Sequence, residues 1–564
     1  MDSVPFSILS SISQRGLQSV DYIVVLVYFV GTLAAGIYFS RQQHEGEDFF
    51  VAGRSMPWFA VGLSLIASLM STTTYLAAPG EVLRYGLTLI FGWLALPLAF
   101  LVVNRLWIPF FMRLNITSIY EYLEWRFGLV ARLLGVGLFT LILRLFWMAT
   151  IVLTASSAVA QITYPSLEQQ FAWHPSLEQW TLTVLLAVGI SATIYTMLGG
   201  IKAVIWTDVI QFVVLMSGLI ITLLVVALDT GTGPIDWWNI TTSSAVEGHA
   251  LPPLASWDIT ERNTILFMML NMLFWYSCTF IGDQVAVQRY LTTPSVKAAA
   301  RGNIVNFMGE CVAFILLSIC GMALLAYYSD PRFQVEIVEG VVDPRNPLVA
   351  DKVFPYFIAN GLPVGMSGLL VAALFAVAMS SLDSGVNSVS TVLTIDVFRR
   401  LDLPYYRWGD LRLARILTLI IGFFCTFAGW ALLYIPESYN IIGITFRTFN
   451  CALGPLGAMF AGGMFLSHVG QRAIVLSTIL GIALAVCCAW HAELLWFLGD
   501  TEFSSLELHL ANNRGLSPFL ITPIAATSTF LMAGLLGLFL PIRDPQKAVR
   551  YSWKAVVSGD PNPT

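Results

Sequence analysis

The chain has 564 residues, of which 57% are hydrophobic and only 11% are charged, and its mean hydropathy is +0.76. A soluble protein carries about 25% charged residues, so the bulk of this chain must lie in lipid rather than in water. The formal net charge of −5 says little about partners. We expect the lipid bilayer to be one, and we expect no nucleic acid among them.

Thirteen apolar segments follow one another along the chain, each long enough to supply the roughly 20 residues that a helix needs to cross a bilayer. They lie near 21–40, 56–78, 86–112, 131–162, 180–199, 204–228, 264–290, 302–328, 363–397, 412–434, 440–467, 472–498 and 517–541. The longest connections, 229–262 and 329–361, are too short to hold a large soluble domain. The sequence therefore predicts an all-α integral membrane protein with about 13 transmembrane helices.

Lysines and arginines concentrate in alternate loops, which sets the orientation of the spans. Arg113, Arg126 and the basic residues of the tail after 541 fall on one side, whereas segment 161–180 contains no Lys or Arg. This pattern predicts an N-out, C-in protein with many spans in the plasma (inner, cytoplasmic) membrane.

Two spans are interrupted by small and polar residues. The second contains Ala67–Thr74 (ASLMSTTT), and the seventh, five spans later, contains Tyr276–Thr279 (YSCT). Broken helices in corresponding positions of two halves are typical of transporters built from inverted repeats. We therefore predict four parts, namely a peripheral N-terminal segment with its helix, two five-helix repeats, and two peripheral helices with a tail: 1–45, 46–230, 231–470 and 471–564.

The ninth span carries hydroxyls and a carboxylate within the run 376–391 (AVAMSSLDSGVNSVST). Polar groups at that depth are costly unless they line a cavity or hold an ion. Oxygen ligands at helical spacing suit a hard cation such as Na⁺. The run predicts an ion site in the membrane, with ligands drawn from Ser380, Ser381, Asp383, Ser384 and Asn387.

Several motifs together resemble the sodium:solute symporter family, the family of sodium–sugar, sodium–iodide, sodium–monocarboxylate and sodium–multivitamin cotransporters. They are 49–58 (FFVAGRSMPW), 195–211 (YTMLGGIKAVIWTDVIQ), 283–289 (DQVAVQR) and the serine-rich run. The resemblance implies a LeuT-type fold with a 5+5 inverted repeat and Na⁺-driven uptake. Two further stretches, 78–86 and 117–127, look more like the iodide, monocarboxylate and multivitamin branch than the sugar branch.

The resemblance also implies the main sodium site. Carried onto this chain, its ligands are three backbone carbonyls and two hydroxyls: Ala67, Met70, Val377, Ser380 and Ser381. An unwound turn frees carbonyl dipoles, so the physics of the break agrees with this assignment. The alternative is that the two serines bond only the carbonyls of their own helix.

A second cation site is implied around Asp208, the only carboxylate of its helix. The matching positions on the ninth span are Ser380, Asp383 and Ser384, where Asp383 replaces a serine of the family pattern. Two close carboxylates would hold either a second Na⁺ or a proton. The alternative is a structural role for Asp208 near Lys202.

The solute is expected to lie beside the main sodium, with Thr74, Trp93, Tyr276, Glu310 and Arg447 as candidate contacts. Where sugar carriers have a glutamate, a lysine and a glutamine, this chain has Gly92, Glu310 and Arg447, which argues against a hexose. A deep arginine fits a carboxylate bidentately, but Arg447 equally could bridge to Glu310 or Asp283. Arg144 is expected to pair with an acid.

We therefore predict a Na⁺-coupled symporter that imports a small solute, an organic anion such as a monocarboxylate, by alternating access with one or two Na⁺. The alternatives are a sodium–sugar or other neutral-solute symporter and, less favoured, a membrane sensor. No enzyme is expected, because neither a metal-hydrolase nor a serine-hydrolase motif occurs. A monomer is expected to suffice for function.

Overall fold

The computed structural model describes residues 16–40, 46–170, 175–243, 254–258, 264–334, 336–337, 340–341, 343–345, 349–405, 409–435, 441–491, 493–494 and 516–559. Within these ranges the regular secondary structure is helical apart from one antiparallel pair of two-residue strands, β1 (Glu336–Ile337) and β2 (Gly340–Val341). The all-α architecture is therefore confirmed.

The helices are bounded as follows: α1 Ser19–Ser40, α2 Gly46–Val51, α3 Trp58–Leu69, α4 Thr72–Tyr85, α5 Thr88–Gly92, α6 Leu96–Val102, α7 Ile108–Leu114, α8 Tyr120–Arg126, α9 Leu129–Gly137, α10 Trp147–Gln170, α11 Leu177–Thr230, α12 Pro234–Thr242, α13 Ile265–Gly282, α14 Gln284–Leu291, α15 Val296–Ser329, α16 Ala350–Asn360, α17 Met366–Val392, α18 Asp410–Leu432, α19 Ile441–Phe465, α20 Gln471–Ala489, α21 Ile521–Phe539, α22 Pro545–Arg550 and α23 Trp553–Ser558. Short 3₁₀ turns occupy Ala52–Arg54, Trp93–Ala95 and Pro518–Leu520, and π-helical turns occupy Val103–Trp107, Leu138–Phe146 and Leu393–Arg399.

Ten helices of the described ranges are long and apolar enough to cross a membrane, or eleven if the bent pair Gly46–Arg54 and Trp58–Leu69 forms one span. One of them, α11, has 54 residues and would be roughly 80 Å long if straight, far more than the hydrocarbon thickness. It turns at Gly200 (φ 53°, ψ −159°), a conformation that a side chain would strain. A multi-pass membrane protein is confirmed, whereas thirteen spans and the N-out, C-in orientation stay predictions.

The first predicted break lies where the sequence placed it. Helix α3 ends at Leu69, Met70 is extended (φ −79°, ψ 111°), and Ser71 caps α4 by accepting a hydrogen bond from the Thr74 amide at 3.1 Å. A serine hydroxyl satisfies an amide that has no helical partner, so a new helix can begin in the middle of the span.

The second break lies at Asp283, four residues beyond the predicted stretch Tyr276–Thr279, which is helical. Asp283 is extended (φ −99°, ψ 115°), and its carboxylate accepts a hydrogen bond from the Val285 amide at 2.9 Å. The small polar residues alone do not interrupt the helix. The interruption requires an aspartate that can cap the amides of α14.

In the most apolar stretch of α17 and the turn that follows it, 94% of the residues are buried, whereas 11% are buried in the corresponding stretch of α1. Helix α17 therefore lies at the centre of the bundle. Its polar run is therefore shielded from lipid by neighbouring helices, mainly α11, α1, α10 and α18. The costly hydroxyls and carboxylates face protein, as a functional site in a membrane requires.

The motif at 117–127 lies at the end of the bundle predicted to face the cytoplasm, where it is tied to the second break. Gln284 accepts a hydrogen bond from the Ile119 amide at 3.0 Å, and the Tyr120 hydroxyl donates to the Gly282 carbonyl at 2.9 Å. Helix α8 is thereby held against the turn between α13 and α14.

Ion pairs between charged side chains also hold this end of the bundle together. Arg132 pairs with Glu124 at 2.6 Å and with Asp396 at 2.7 Å, and Arg400 bonds the same Glu124. Burial raises the pKa of the Glu124 carboxyl, but hydrogen bonds from Arg400 and Arg132 outweigh it and hold that pKa below its usual value. The end of α17 is thus fastened to α8 and α9.

Helices α3 and α15 approach each other through glycines. A Cβ atom at Gly62 would lie 2.5 Å from the carbonyl oxygen of Gly302, which is backbone and cannot turn aside. This contact fixes the distance between the first broken helix and α15.

Replacing Gly62 by alanine should therefore destabilise the protein by about 1–3 kcal/mol, because overpacking forces the two backbones apart. Thermal unfolding of the purified protein in detergent measures the change. Gly31→Ala is the matched control, since a Cβ there meets nothing within 4 Å and alanine favours a helix. Equal melting temperatures for the two variants would contradict the close approach.

Candidate functional site

The predicted main sodium site lies at the first break. The amide of Met70 makes the last helical bond of α3, to the Ile66 carbonyl at 2.9 Å, and the Thr74 amide bonds Ser71 Oγ instead of the carbonyl four residues back. The carbonyls of Ala67 and Met70 therefore end the helix without the amides that a continuous helix would supply.

The serine pair lies close to this break. On α17, Ser381 Oγ is buried and has no hydrogen-bond partner in the part of the chain that the structure describes. Burying such an oxygen without a partner costs free energy, and a cation would satisfy it. Val377 lies one turn before Ser381 on the same helix and therefore on the same side of it.

Asp208 connects the serine pair to the break. Its Oδ1 accepts a hydrogen bond from Ser380 Oγ at 2.5 Å, and its Oδ2 accepts from Ser68 Oγ at 3.1 Å and Ser64 Oγ at 2.5 Å. Because Ser68 follows Ala67 directly, the structure brings the two halves of the predicted sodium site to one carboxylate.

The residues of the predicted second cation site also meet. Ser68 Oγ lies 3.0 Å from Ser384 Oγ, and Ser384 donates to Asp383 Oδ1 at 3.0 Å. The Tyr195 hydroxyl donates to the other oxygen of Asp383. A continuous chain of hydroxyls thus joins the two buried carboxylates.

Arg289 is the functional residue that the sequence analysis did not identify. Its guanidinium pairs with Asp208 Oδ2 at 3.1 Å, donates to Ser64 Oγ at 2.8 Å and contacts Ser384. With both carboxylates ionised, this fully buried cluster carries two negative charges and one positive charge. A further monovalent cation or a proton would balance it.

Two local features of the sequence bear on single members of this cluster, although neither predicts the pairing of Arg289 with Asp208. Arg289 lies six residues after Asp283 in the 283–289 motif, so it is carried on the short helix α14 that the break directs into the bundle. Ser64 and Ser68 have helical i, i+4 spacing and so present hydroxyls to one side of α3.

The candidate solute contacts form a second group. Tyr276 donates its hydroxyl to Glu310, and Trp93 stacks on Phe314 with ring centroids 3.4 Å apart. Thr74 Oγ1 lies 3.1 Å from Ser71 Oγ at the start of α4. The first two contacts join α13 and the turn at Trp93 to α15, whereas the third lies within the start of α4.

Arg447 lies apart from these contacts: the predicted bridge to Glu310 or Asp283 was wrong, and its contact with the solute stays a prediction. Its guanidinium bonds Glu493 at 2.8 Å beyond the end of α20 and lies over the Trp490 ring, so it bridges to neither Glu310 nor Asp283. Residues two apart on a helix point to opposite sides. Thr445 and Phe449, two residues before and after Arg447, lie on the side of α19 that faces α10. They contact Thr150 and Trp147, respectively.

Arg144 pairs with an acid, as expected. Its partner is Asp283, the residue that caps α14. The guanidinium therefore stabilises the second break and neutralises its carboxylate.

Removing the carboxylate of Asp208 should leave the buried Arg289 guanidinium without the carboxylate that it pairs with directly. We expect Asp208→Asn to destabilise the protein by about 3–5 kcal/mol, and the double variant with Arg289→Gln to recover part of the loss. Thermal unfolding in K⁺ without Na⁺ isolates this effect from ion binding.

Asp330→Asn is the control for this measurement, because it breaks the surface Asp330–Arg332 pair at 2.6 Å, and a surface ion pair contributes little to stability. If Asp208→Asn melted like this control, the buried ion pair would not stabilise the fold.

Comparison with known proteins agrees with this geometry. The profile of the sodium:solute symporter family matches residues 49–481. A sodium/sialic acid symporter of Aliivibrio fischeri is 29% identical over 487 residues, which cover 86% of this chain and 89% of the relative. A human sodium-coupled monocarboxylate transporter is 28% identical over 517 residues, covering 87% and 76%.

A solved structure of a Na⁺-coupled sialic acid symporter, in a substrate-bound outward-open state, superimposes with a TM-score of 0.73 at 25% identity. The match covers 93% of this chain and 99% of that one. The predicted LeuT-type fold is confirmed. The relatives in this family are transporters rather than enzymes. Because the family profile covers most of its length, the chain belongs to the sodium:solute symporter family and is a Na⁺-coupled carrier of a small solute.

Proposed function

We propose that this protein imports a small organic anion, such as a monocarboxylate, across the inner (cytoplasmic) membrane by alternating access, driven by Na⁺. The observation that carries the sodium part is the buried, unpartnered hydroxyl of Ser381 beside a helix end that leaves carbonyls free. Hard oxygen donors of this kind suit Na⁺. Each Na⁺ that enters contributes roughly 2.3 kcal/mol per 100 mV of membrane potential.

The start of α4 supports an anionic solute. It is a half-helix whose N-terminus lies in the middle of a span, so its partial positive charge and free amides face the interior. Thr72, at its first position, is fully buried, and its hydroxyl has no partner among the described residues. A carboxylate placed there would accept hydrogen bonds from these donors.

The names of the relatives are in line with this choice, because two of them denote carriers of sialic acid and of monocarboxylates. Arg447 lends the choice of an anion no support, since its guanidinium is paired with Glu493. The proposal of an organic anion therefore rests on α4. A sugar or other neutral solute is the alternative.

Coupling follows from shared residues. Ser380 donates to Asp208 and is also a proposed sodium ligand, so an ion beside Ser380 and Ser381 would hold α17 against the break from which α4 begins. Sodium would thus favour the arrangement in which the solute site is formed. The cluster of Asp208, Asp383 and Arg289 would take one further cation, a second Na⁺ or a proton.

Ser381→Ala should weaken sodium binding about tenfold or more, because the hydroxyl is a direct ligand that no protein group replaces. The measurement is the Na⁺ concentration that gives half-maximal thermal stabilisation, with K⁺ keeping the ionic strength constant. This readout needs no knowledge of the solute.

Ser217→Ala is the matched control, because that serine is only partly buried on α11 and bonds the Val213 carbonyl of its own helix. The proposed site is rejected if Ser381→Ala and Ser217→Ala respond to Na⁺ like the unaltered protein.

A further inference from the structure

Glu310 is a buried carboxylate whose charge nothing in the described structure balances. It is 2% exposed, and the hydrogen bond that it receives comes from the Tyr276 hydroxyl. The guanidiniums nearest the middle of the bundle are already paired: Arg144 with Asp283, Arg289 with Asp208 and Arg447 with Glu493. A buried carboxylate is costly unless a cation or a proton neutralises it, so a positive charge supplied by a ligand would stabilise the ionised form.

Glu310 lies at the height of the first break. A Cβ at Gly309 would contact Ile66, near the end of α3, and a Cβ at Gly321 would lie 2.8 Å from the Pro79 carbonyl on α4. Helices α3, α4 and α15 therefore run side by side, and the residue after Gly309 falls level with the turn between α3 and α4. The proposed solute site at the start of α4 lies at the same depth.

Aromatic rings lie on both sides of this carboxylate along α15. One turn before it, the Phe307 ring is 5.4 Å from Tyr276 and 5.8 Å from Phe280. One turn after it, the Phe314 ring stacks on Trp93. Rings grouped around a carboxylate are the surroundings that an ammonium group prefers, because each ring face attracts a cation.

A further buried polar side chain lies on the same face. Asn306 precedes Glu310 by one turn and is fully buried, and neither its Oδ1 nor its Nδ2 has a partner in the described ranges. The indole Nε1 of Trp93 is likewise buried without a partner. Unsatisfied groups at this depth indicate a ligand that offers hydrogen-bonding atoms of its own.

We infer that the transported solute carries a protonated amine, which Glu310 and the rings around it bind, in addition to the carboxylate that the start of α4 binds. The solute class is thus a zwitterion of the amino-acid type. This inference rests on the proposed function, because it uses the same helix end for the carboxylate of the solute.

Matched triplets of compounds test it on the purified full-length protein. Each triplet consists of a common amino acid, its hydroxy acid and its deaminated acid, with β-alanine and γ-aminobutyrate added as amines at other positions. The readout is thermal stabilisation in Na⁺ and in K⁺ at about 10 mM compound, which reveals a Kd of about 1 mM. We expect an amino acid to stabilise the protein in Na⁺, and its two partners to bind at least about tenfold more weakly.

Glu310→Gln separates the charge from the shape, since the amide keeps the size and accepts the Tyr276 hydrogen bond. It should remove the preference for the amine while the thermal shift caused by Na⁺ alone persists. Glu178→Gln, on the exposed first turn of α11, is the control that should change nothing.

The inference is overturned if no amino acid stabilises the protein, if the hydroxy or deaminated acids bind as tightly, or if Glu310→Gln keeps the preference. Failure of the proposed function looks different, because then Na⁺ would not change the stability or the binding of any compound.

Discussion

The carboxylate of Asp208 is the interaction on which the rest of the site depends. Carried on α11, it accepts hydrogen bonds from hydroxyls of α3 and α17 and pairs with the guanidinium of Arg289 on α14. Four helices, from both predicted repeats, therefore meet at one buried charge. In a low-dielectric interior a buried charge that loses a partner is costly. The hydrogen bonds and the ion pair of Asp208 therefore fix how close these helices come.

Each of these helices also contributes to a proposed binding function. Helix α3 ends in the carbonyls proposed for sodium, α17 carries the serine pair, and α14 begins at Asp283, which Arg144 holds. Broken helices leave backbone groups free at the depth where an ion and a solute must lose their water. The capping residues Ser71 and Asp283 make those breaks stable enough to be used.

The first helix break and the polar run on α17 were predictable from the sequence. Hydroxyls in an apolar span have few uses, so the run around Ser380 predicted the ion site, and the stretch at Ala67–Thr74 predicted the first break. The second break was displaced to Asp283 because hydropathy does not show which residue can cap a helix. The direction of Arg447 was missed because a two-residue difference in position turns a side chain to the opposite face, towards Glu493. The pairing of Arg289 with Asp208 joins residues 81 apart in the chain, which no local pattern reveals.

The position of the bound sodium ion is the central prediction. An experimental density map of the protein in Na⁺, compared with one in K⁺, tests this directly. We predict a sodium-dependent peak about 2.4 Å from the carbonyls of Ala67, Met70 and Val377 and from the hydroxyls of Ser380 and Ser381, the distance that hard cations of this size keep to oxygen. A peak bound only by Asp208 and Asp383, or maps without any sodium-dependent peak at the break, would contradict the account.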